Sequence, residues 1–293
     1  MNYINNFYEI INKVFKTNTI DTNTIDTNNT NNTNDIFESI LSDNKKILEY
    51  ENYNNIPKYL FITHENIDKM NNYKSKFIDI KLKNNNWDIY FFTNKDIEFF
   101  LEKHYPEYYY YYKLINDNYG AAKSDFWRYI IIYHYGGIYI DVSVEVYEKL
   151  DNIILEKTNL IITKHHTAGF FCKNTWGKDI YWNWFFASPP KNKILKKLID
   201  TIILNINNHE QYLIRKSSNF FIPVSNYNTF ILTGPLIFNK IVCDYSNEED
   251  IYELKKNNIV YVKDKNEILY VIKYVLFNKG QTYHDTKEYI INI

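Results

Sequence analysis

The chain has 293 residues, 45% of them hydrophobic, enough for one substantial core with a small appendage. Its formal net charge is −1 and its pI about 6.7, so no global field favours nucleic acid or an anionic membrane. Tyr (29) and Phe (19) are abundant beside Gly (7) and Pro (6), and Asn, Lys and Ile are frequent. That bias matches AT-rich codons and fits a large DNA virus or an AT-rich microbe. Cys172 and Cys243 form no metal-like pair, which leaves them reduced and buried. No run approaches the roughly 18 apolar residues of a membrane span, and the start lacks the regions of a secretory signal. The expected location is the cytosol, or the host cytoplasm or virion for a viral protein.

Residues 1–16 place Ile4, Phe7, Ile10, Ile11, Val14 and Phe15 at roughly helical spacing, an amphipathic helix able to dock elsewhere. Residues 17–35 form a polar Asn/Thr near-repeat that buries too little surface to repay ordering, and so read as a linker. The main domain is expected over 36–293. From about residue 56, short apolar runs alternate with helical stretches, as in an α/β fold. Lys58–Thr63 and Trp87–Phe92 read as buried parallel strands, each followed by a helix, over Glu65–Phe77 and Lys95–His104. Thr93 and Asn94 are cap candidates for the second helix. Pro106 opens a further helix or turn whose five consecutive tyrosines, Tyr108–Tyr112, divide between core and surface. Ala121–Tyr135 is helical, stopped by Gly136-Gly137, and Ile138–Val142 follows as a strand. Apolar runs recur at Leu160–Thr163 and Asn228–Thr233, with a helix over Ile194–Leu204 between them.

The segment 120–145, GAAKSDFWRYIIIYHYGGIYIDVSVE, carries the chemistry. Ala121, Asp125, Arg128 and Ile132 share one helix face. The glycine pair turns the chain into a strand ending at Asp141, and ligands of open α/β sheets sit beyond such strand ends. A carboxylate that holds a hard divalent cation and an arginine that reaches phosphate suit departure of a diphosphate. Taken singly, Asp125 and Arg128 also fit an ordinary surface pair, and Asp141 an ordinary strand end.

Order and spacing go further. The string A-K-S-D-x-x-R-Y…Y-G-G-I-Y-I-D-V resembles the core motif of glycosyltransferase family 32, which includes fungal α-1,6-mannosyltransferases and bacterial capsule enzymes. The same string recurs in the glucosylating domains of large clostridial toxins. Ile56-Pro57-Lys58, Trp87–Thr93 with Asp96, Tyr181–Pro190 and Thr233-Gly234-Pro235 resemble flanking segments in the correct order, so the resemblance spans about residues 56–289. It implies a GT-A-type, Rossmann-like α/β fold with a mixed, mostly parallel sheet. It also implies retaining transfer of a hexose from a UDP- or GDP-sugar to a glycan or protein hydroxyl, assisted by Mn²⁺ or Mg²⁺. By the same resemblance Asp125, Arg128 and Asp141 are catalytic. Thr63, Asp125, Arg128, Gly137, Tyr139, Asn183, Thr233 and Gly234 surround the donor, and Asp141, Ser143 and His284 serve the metal.

The family's second motif acid is here Ser143, a neutral and poorer ligand for a hard dication. In an extended strand Glu145 points to the same side as Asp141, but about 13 Å away, so its participation requires a bend. Ser143 keeps open a non-catalytic homologue that binds nucleotide sugar, and the tyrosine-rich surface a glycan-binding interaction protein.

Overall fold

The computed structural model describes residues 55–146, 149–154, 160–165, 180–208, 224–245, 251–253, 272–274 and 290–292. The expected N-terminal helix and linker, Cys172, Arg215 and His284 lie outside these residues. Chain order gives β1 (Tyr59–His64), α1 (Ile67–Met70), a 3₁₀ turn, α2 (Lys74–Lys83), β2 (Asp88–Thr93), α3 (Asn94–His104) and α4 (Pro106–Leu114). It continues with α5 (Gly120–Tyr135), β3 (Gly137–Asp141), β4 (Val144–Val146), a 3₁₀ turn, β5 (Leu160–His165), β6 (Ile180–Ser188) and α6 (Lys193–Asn207). Last come α7 (Val224–Leu232), α8 (Pro235–Asp244), β7 (Ile251–Glu253) and β8 (Ile272–Tyr274).

Six strands form one sheet in the order β2-β1-β3-β6-β5-β7. β1 pairs in parallel with both β2 and β3, and β5 with β7; β6 alone runs against its neighbours. The sheet is therefore mixed and mostly parallel, as expected. Four consecutive residues in the middle of β1, and four in β2, are buried. That is why these strands read as continuous apolar runs instead of alternating ones. β4 and β8 form a separate antiparallel pair.

Helix signals act where the chain carries them. Thr93 caps α3, accepting from the Asp96 amide while Asp96 accepts from the Thr93 amide, a reciprocal arrangement worth about 1 kcal/mol. Asn192 caps α6 by accepting from the amides of Ile194 and Leu195. The α6 face of Ile194, Leu195, Leu198, Ile199, Ile202 and Ile206 is buried, each side chain contributing about 1.5–3 kcal/mol. Tyr108 and Tyr112 of α4 enter the core while Tyr110 stays exposed, so the tyrosine run is divided as expected.

Some boundaries differ. The first helical stretch starts as a single turn and a 3₁₀ segment, and its long part, α2, ends at Lys83 instead of Phe77. The apolar run at Asn228–Thr233 is mostly helix, within α7. Cys243 is half-buried on α8. Among the described residues no helix is long and apolar enough to cross a membrane.

The turn between α5 and β3 positions the site. Gly136 and Gly137 have φ of 68° and 98°, a region glycine enters without penalty. A Cβ on Gly136 would lie 2.7 Å from Pro190 Cδ, and one on Gly137 only 2.5 Å from the Tyr59 carbonyl oxygen. Both hydrogens are therefore required for the chain to pass between β1 and β6. The result fixes the register that sets Thr63 of β1 beside Asp141 of β3.

Candidate active site

β1, β2 and β3 end together at His64, Thr93 and Asp141, and α5 runs behind that edge. This helix is buried nearly all round: Phe126, Trp127, Tyr129, Ile130, Ile131 and Ile132 are all core residues. Asp125 and Arg128 are buried with them, 5% and 4% exposed. The surface-pair alternative is thus overturned. A charged pair enters such an environment only with its hydrogen bonds met.

Arg128 meets them through every nitrogen. Nη1 donates to the Asn183 carbonyl (2.7 Å), Nε to the Ser124 carbonyl (3.3 Å) and Nη2 to Ser124 Oγ (3.2 Å). Nη2 also lies 3.2 Å from Asp125 Oδ1 and 3.1 Å from Asp141 Oδ1, bridging the two carboxylates. The guanidinium stacks over the Tyr139 ring, 4.5 Å from its centroid. Asp125 is held on both oxygens. Asn183 Nδ2 donates to Oδ1 (2.8 Å) and Thr233 Oγ1 to Oδ2 (3.3 Å). Asn183 Nδ2 also donates to Tyr129 Oη, which donates to the Thr233 carbonyl (3.0 Å). Gly234 borders this carboxylate, because a Cβ there would lie 3.2 Å from Asp125 Oδ2.

Around Asp141 the bonding is thinner. Tyr139 Oη donates to Oδ1 (3.1 Å) and is itself within hydrogen-bond distance of Thr63 Oγ1 and Ser124 Oγ. Oδ2 of Asp141 has no hydrogen-bond partner among the described residues. Its side chain is 27% exposed, so it forms the accessible end of an otherwise enclosed network. Burial pushes the Asp125 carboxyl up to about 6, against the pull of Arg128 and its hydrogen bonds. Asp141 is pushed upward too by burial, opposed by Arg128, the Tyr139 hydroxyl and Lys76.

Thr63, Asp125, Arg128, Tyr139, Asp141, Asn183 and Thr233 thus lie in one connected network. Gly137 does not join it. It stands at the other end of β3 from Asp141, against Tyr59, where it shapes the backbone. Ser124 and Tyr129 belong to the network and were not singled out from sequence. Ser124 lies within the A-K-S-D string, but nothing in its chemistry marks it; Tyr129 reads as one more aromatic core residue.

Ser143 does not continue β3. Val142 and Ser143 form a turn, and the next strand, β4, pairs with β8 outside the main sheet. The bend that participation of Glu145 requires is therefore present, since the chain changes sheets between Asp141 and Val144. The Glu145 side chain lies outside the described residues, as does His284. Among the described residues no group of three or more His, Cys, Asp or Glu side chains is assembled for a metal. One open carboxylate oxygen and a nearby hydroxyl make a sparse donor set. Taken by themselves, these two groups fit a hard divalent ion that keeps several waters and binds largely through substrate phosphates.

A match to the family described as the glycosyltransferase sugar-binding region containing the DXD motif covers residues 5–160, more than half of the chain. The chain belongs to this glycosyltransferase family. The match begins well before Ile56, where the motif resemblance starts. Inositol phosphoceramide mannosyltransferase 1 of Schizosaccharomyces pombe is 27% identical over 166 residues, 55% of this chain and 42% of that relative. The chain therefore spans less than half the length of the curated relative it matches. Among solved structures, the PaToxG glycosyltransferase is 19% identical with a TM-score of 0.46, over 74% of this chain and 78% of that one. The catalytic domain of alpha-toxin from Clostridium novyi is 13% identical with a TM-score of 0.37, over 72% and 75%.

Proposed function

We propose that this chain is a retaining glycosyltransferase that moves a hexose from a UDP- or GDP-sugar to a hydroxyl of a glycan or protein in the cytoplasm, assisted by Mn²⁺ or Mg²⁺. The observation that carries this reading is the bridge of Arg128 between Asp125 and Asp141 at the C-terminal strand ends, with Asp141 open to solvent. Arg128 is locked by Asn183 and Ser124, so its charge is fixed beside Asp141 before any donor arrives. Preorganised charge of this kind stabilises a departing diphosphate without reorganisation at the moment of reaction. A divalent ion held through Asp141 and Ser143, with His284 and Glu145 as further candidates, would supply Lewis-acid neutralisation of the same leaving group.

In the transfer, the bond from the anomeric carbon to the phosphate oxygen breaks while the acceptor oxygen bonds to the same face. The acceptor proton passes to the departing phosphate oxygen. Asp125 is poorly suited to a double displacement, because both its oxygens are occupied and it is 5% exposed. This supports front-face retention. Thermal-shift screening of nucleotide sugars with Mn²⁺ identifies the donor, which at 100 times its Kd adds about 2.7 kcal/mol of stability. The anomeric configuration of the product, followed by NMR, then tests retention. A trapped covalent glycosyl-enzyme would sink the front-face route.

Ser143 favours a second reading, a non-catalytic homologue that binds nucleotide sugar through the same network. Donor binding without donor hydrolysis, with and without Mn²⁺, would select it.

A further inference from the structure

Helix α2 starts beside the C-terminal end of β1, where Tyr73, the residue before it, packs against His64. From it Lys76, half-buried, reaches across to the turn after β3, where its ammonium donates to the Val142 carbonyl. That carbonyl sits between Asp141 and Ser143 in sequence, within the turn where the family motif carries its second acid. The same ammonium lies 5.8 Å from the centroid of the Tyr73 ring. Its field reaches Asp141, where it favours the ionised carboxylate.

Charge counting gives this contact meaning. The two network carboxylates, Asp125 and Asp141, are offset by Arg128 alone within the network. Lys76 brings the second positive charge to the turn. Arg128 and Lys76 thus match Asp125 and Asp141 in number, and a nucleoside diphosphate arriving at Asp141 brings fresh negative charge. With Ser143 neutral, an ion here would be held by one motif carboxylate where the family uses two. An ammonium is a compact point charge on a flexible stem, suited to moving from a carbonyl to a phosphate.

We propose that Lys76 contacts the donor diphosphate directly and carries part of the neutralisation that the second motif acid would place on a divalent ion. This rests on the nucleotide-sugar reading above. It follows that diphosphate binding survives removal of divalent metal and depends there on Lys76.

The test is calorimetric titration of the full chain with UDP, GDP, uridine and guanosine, in EDTA and in saturating Mn²⁺. Wild type is compared with Lys76→Met, which keeps the apolar stem, and Lys76→Arg, which keeps the charge. In EDTA, Lys76→Met weakens the diphosphate that binds wild type by about tenfold and its nucleoside by less than about twofold. Lys76→Arg stays within about threefold of wild type, and Mn²⁺ narrows the Lys76→Met deficit to about threefold. Equal diphosphate affinities of Lys76→Met and wild type in both buffers overturn the assignment. So does an equal loss for nucleoside and diphosphate, which would mark a structural role. A wild type that binds neither diphosphate in either buffer refutes the nucleotide-sugar reading itself, and this assignment with it. Thermal unfolding of the unliganded variants separates misfolding from lost contact; if Lys76→Met is unfolded, Lys76→Gln replaces it under the same criteria.

Discussion

Replacing Arg128 by Met is expected to unfold the site as well as to abolish donor use. The substitution keeps an apolar stem but removes donors to the Asn183 and Ser124 carbonyls and the positive charge between two carboxylates. A surface pair of this type is worth less than about 1 kcal/mol. Here Asp125 and Asp141 would be left side by side with only Lys76, at the turn beside Asp141, as a counter-charge, Asp125 being 5% exposed. Breaking a buried pair in this manner costs about 3–5 kcal/mol. In a chain of this size that lowers the melting temperature by on the order of 10 °C. Urea unfolding followed by circular dichroism at pH 7 measures it. The double variant Arg128→Met with Asp125→Asn should recover much of the loss, because it removes one of the stranded charges. Arg128→Lys should fall between wild type and Met, since one ammonium cannot span both carboxylates and the Asn183 carbonyl. If Arg128→Met stays within about 1 kcal/mol of wild type, the network is solvated and the electrostatic reading of the site is wrong.

Further expectations concern the same region. Asp125 has a folded pKa of about 6, raised above its ordinary value, so the protonated form favours the native state. That contribution is fully present below about pH 4 and is lost as pH rises through about 6. Relative to Asp125→Asn, wild type should lose up to about 3 kcal/mol between these values, and parallel stability curves for the two proteins would contradict it. Gly137→Ala should cost at least about 2 kcal/mol or prevent folding, from the positive φ and the 2.5 Å approach to the Tyr59 carbonyl; a soluble variant of unchanged melting temperature would exclude the close approach. Ser143→Asp should lower stability in EDTA and regain it with Mn²⁺ plus a nucleoside diphosphate, because a second carboxylate repels Asp141 unless a cation intervenes. A Ser143→Asp protein whose melting temperature ignores Mn²⁺ would argue against a metal at this turn.

The sequence was most legible where a local rule acts alone. Of the two cap candidates, Thr93 starts α3 and Asn94 is its first helical residue, while Gly136-Gly137 ends α5 as expected. It was least legible where periods compete. After Phe77 the chain reads Ile-Asp-Ile-Lys-Leu-Lys, which alternates like a strand, yet α2 continues through it, since Phe77 and Ile80 already bury a helical face. Likewise the run at Asn228–Leu232 is apolar on too short a span to distinguish a buried strand from a buried helix. The sequence set Asp141 at a strand end with the helix face of Asp125 and Arg128 nearby, which is the arrangement in the structure, but it did not show their burial. A helix enclosed on all sides has no polar stripe to report which way its charges point. Lys76 gave no signal either, being one lysine among many in a chain with few arginines.

The distribution of hydrogen bonds divides the motif into two kinds of residue. Asp125 is saturated by Asn183, Thr233 and Arg128, and lies too deep to meet a large ligand without giving up one of those partners. Arg128 is nearly as enclosed, and its outermost interaction is with Asp141. Of these three, Asp141 combines exposure with an oxygen that has no hydrogen-bond partner among the described residues. Donor binding is therefore expected to start at Asp141 and the turn after it, and to reach Arg128 by displacing Asp141 from Nη2. The interior layer of Asp125, Asn183, Tyr129 and Thr233 then keeps the guanidinium in place when its outer partner is lost. On this division, the interior residues set the orientation of the charge, while Asp141, Ser143 and Lys76 set how much charge the incoming diphosphate meets.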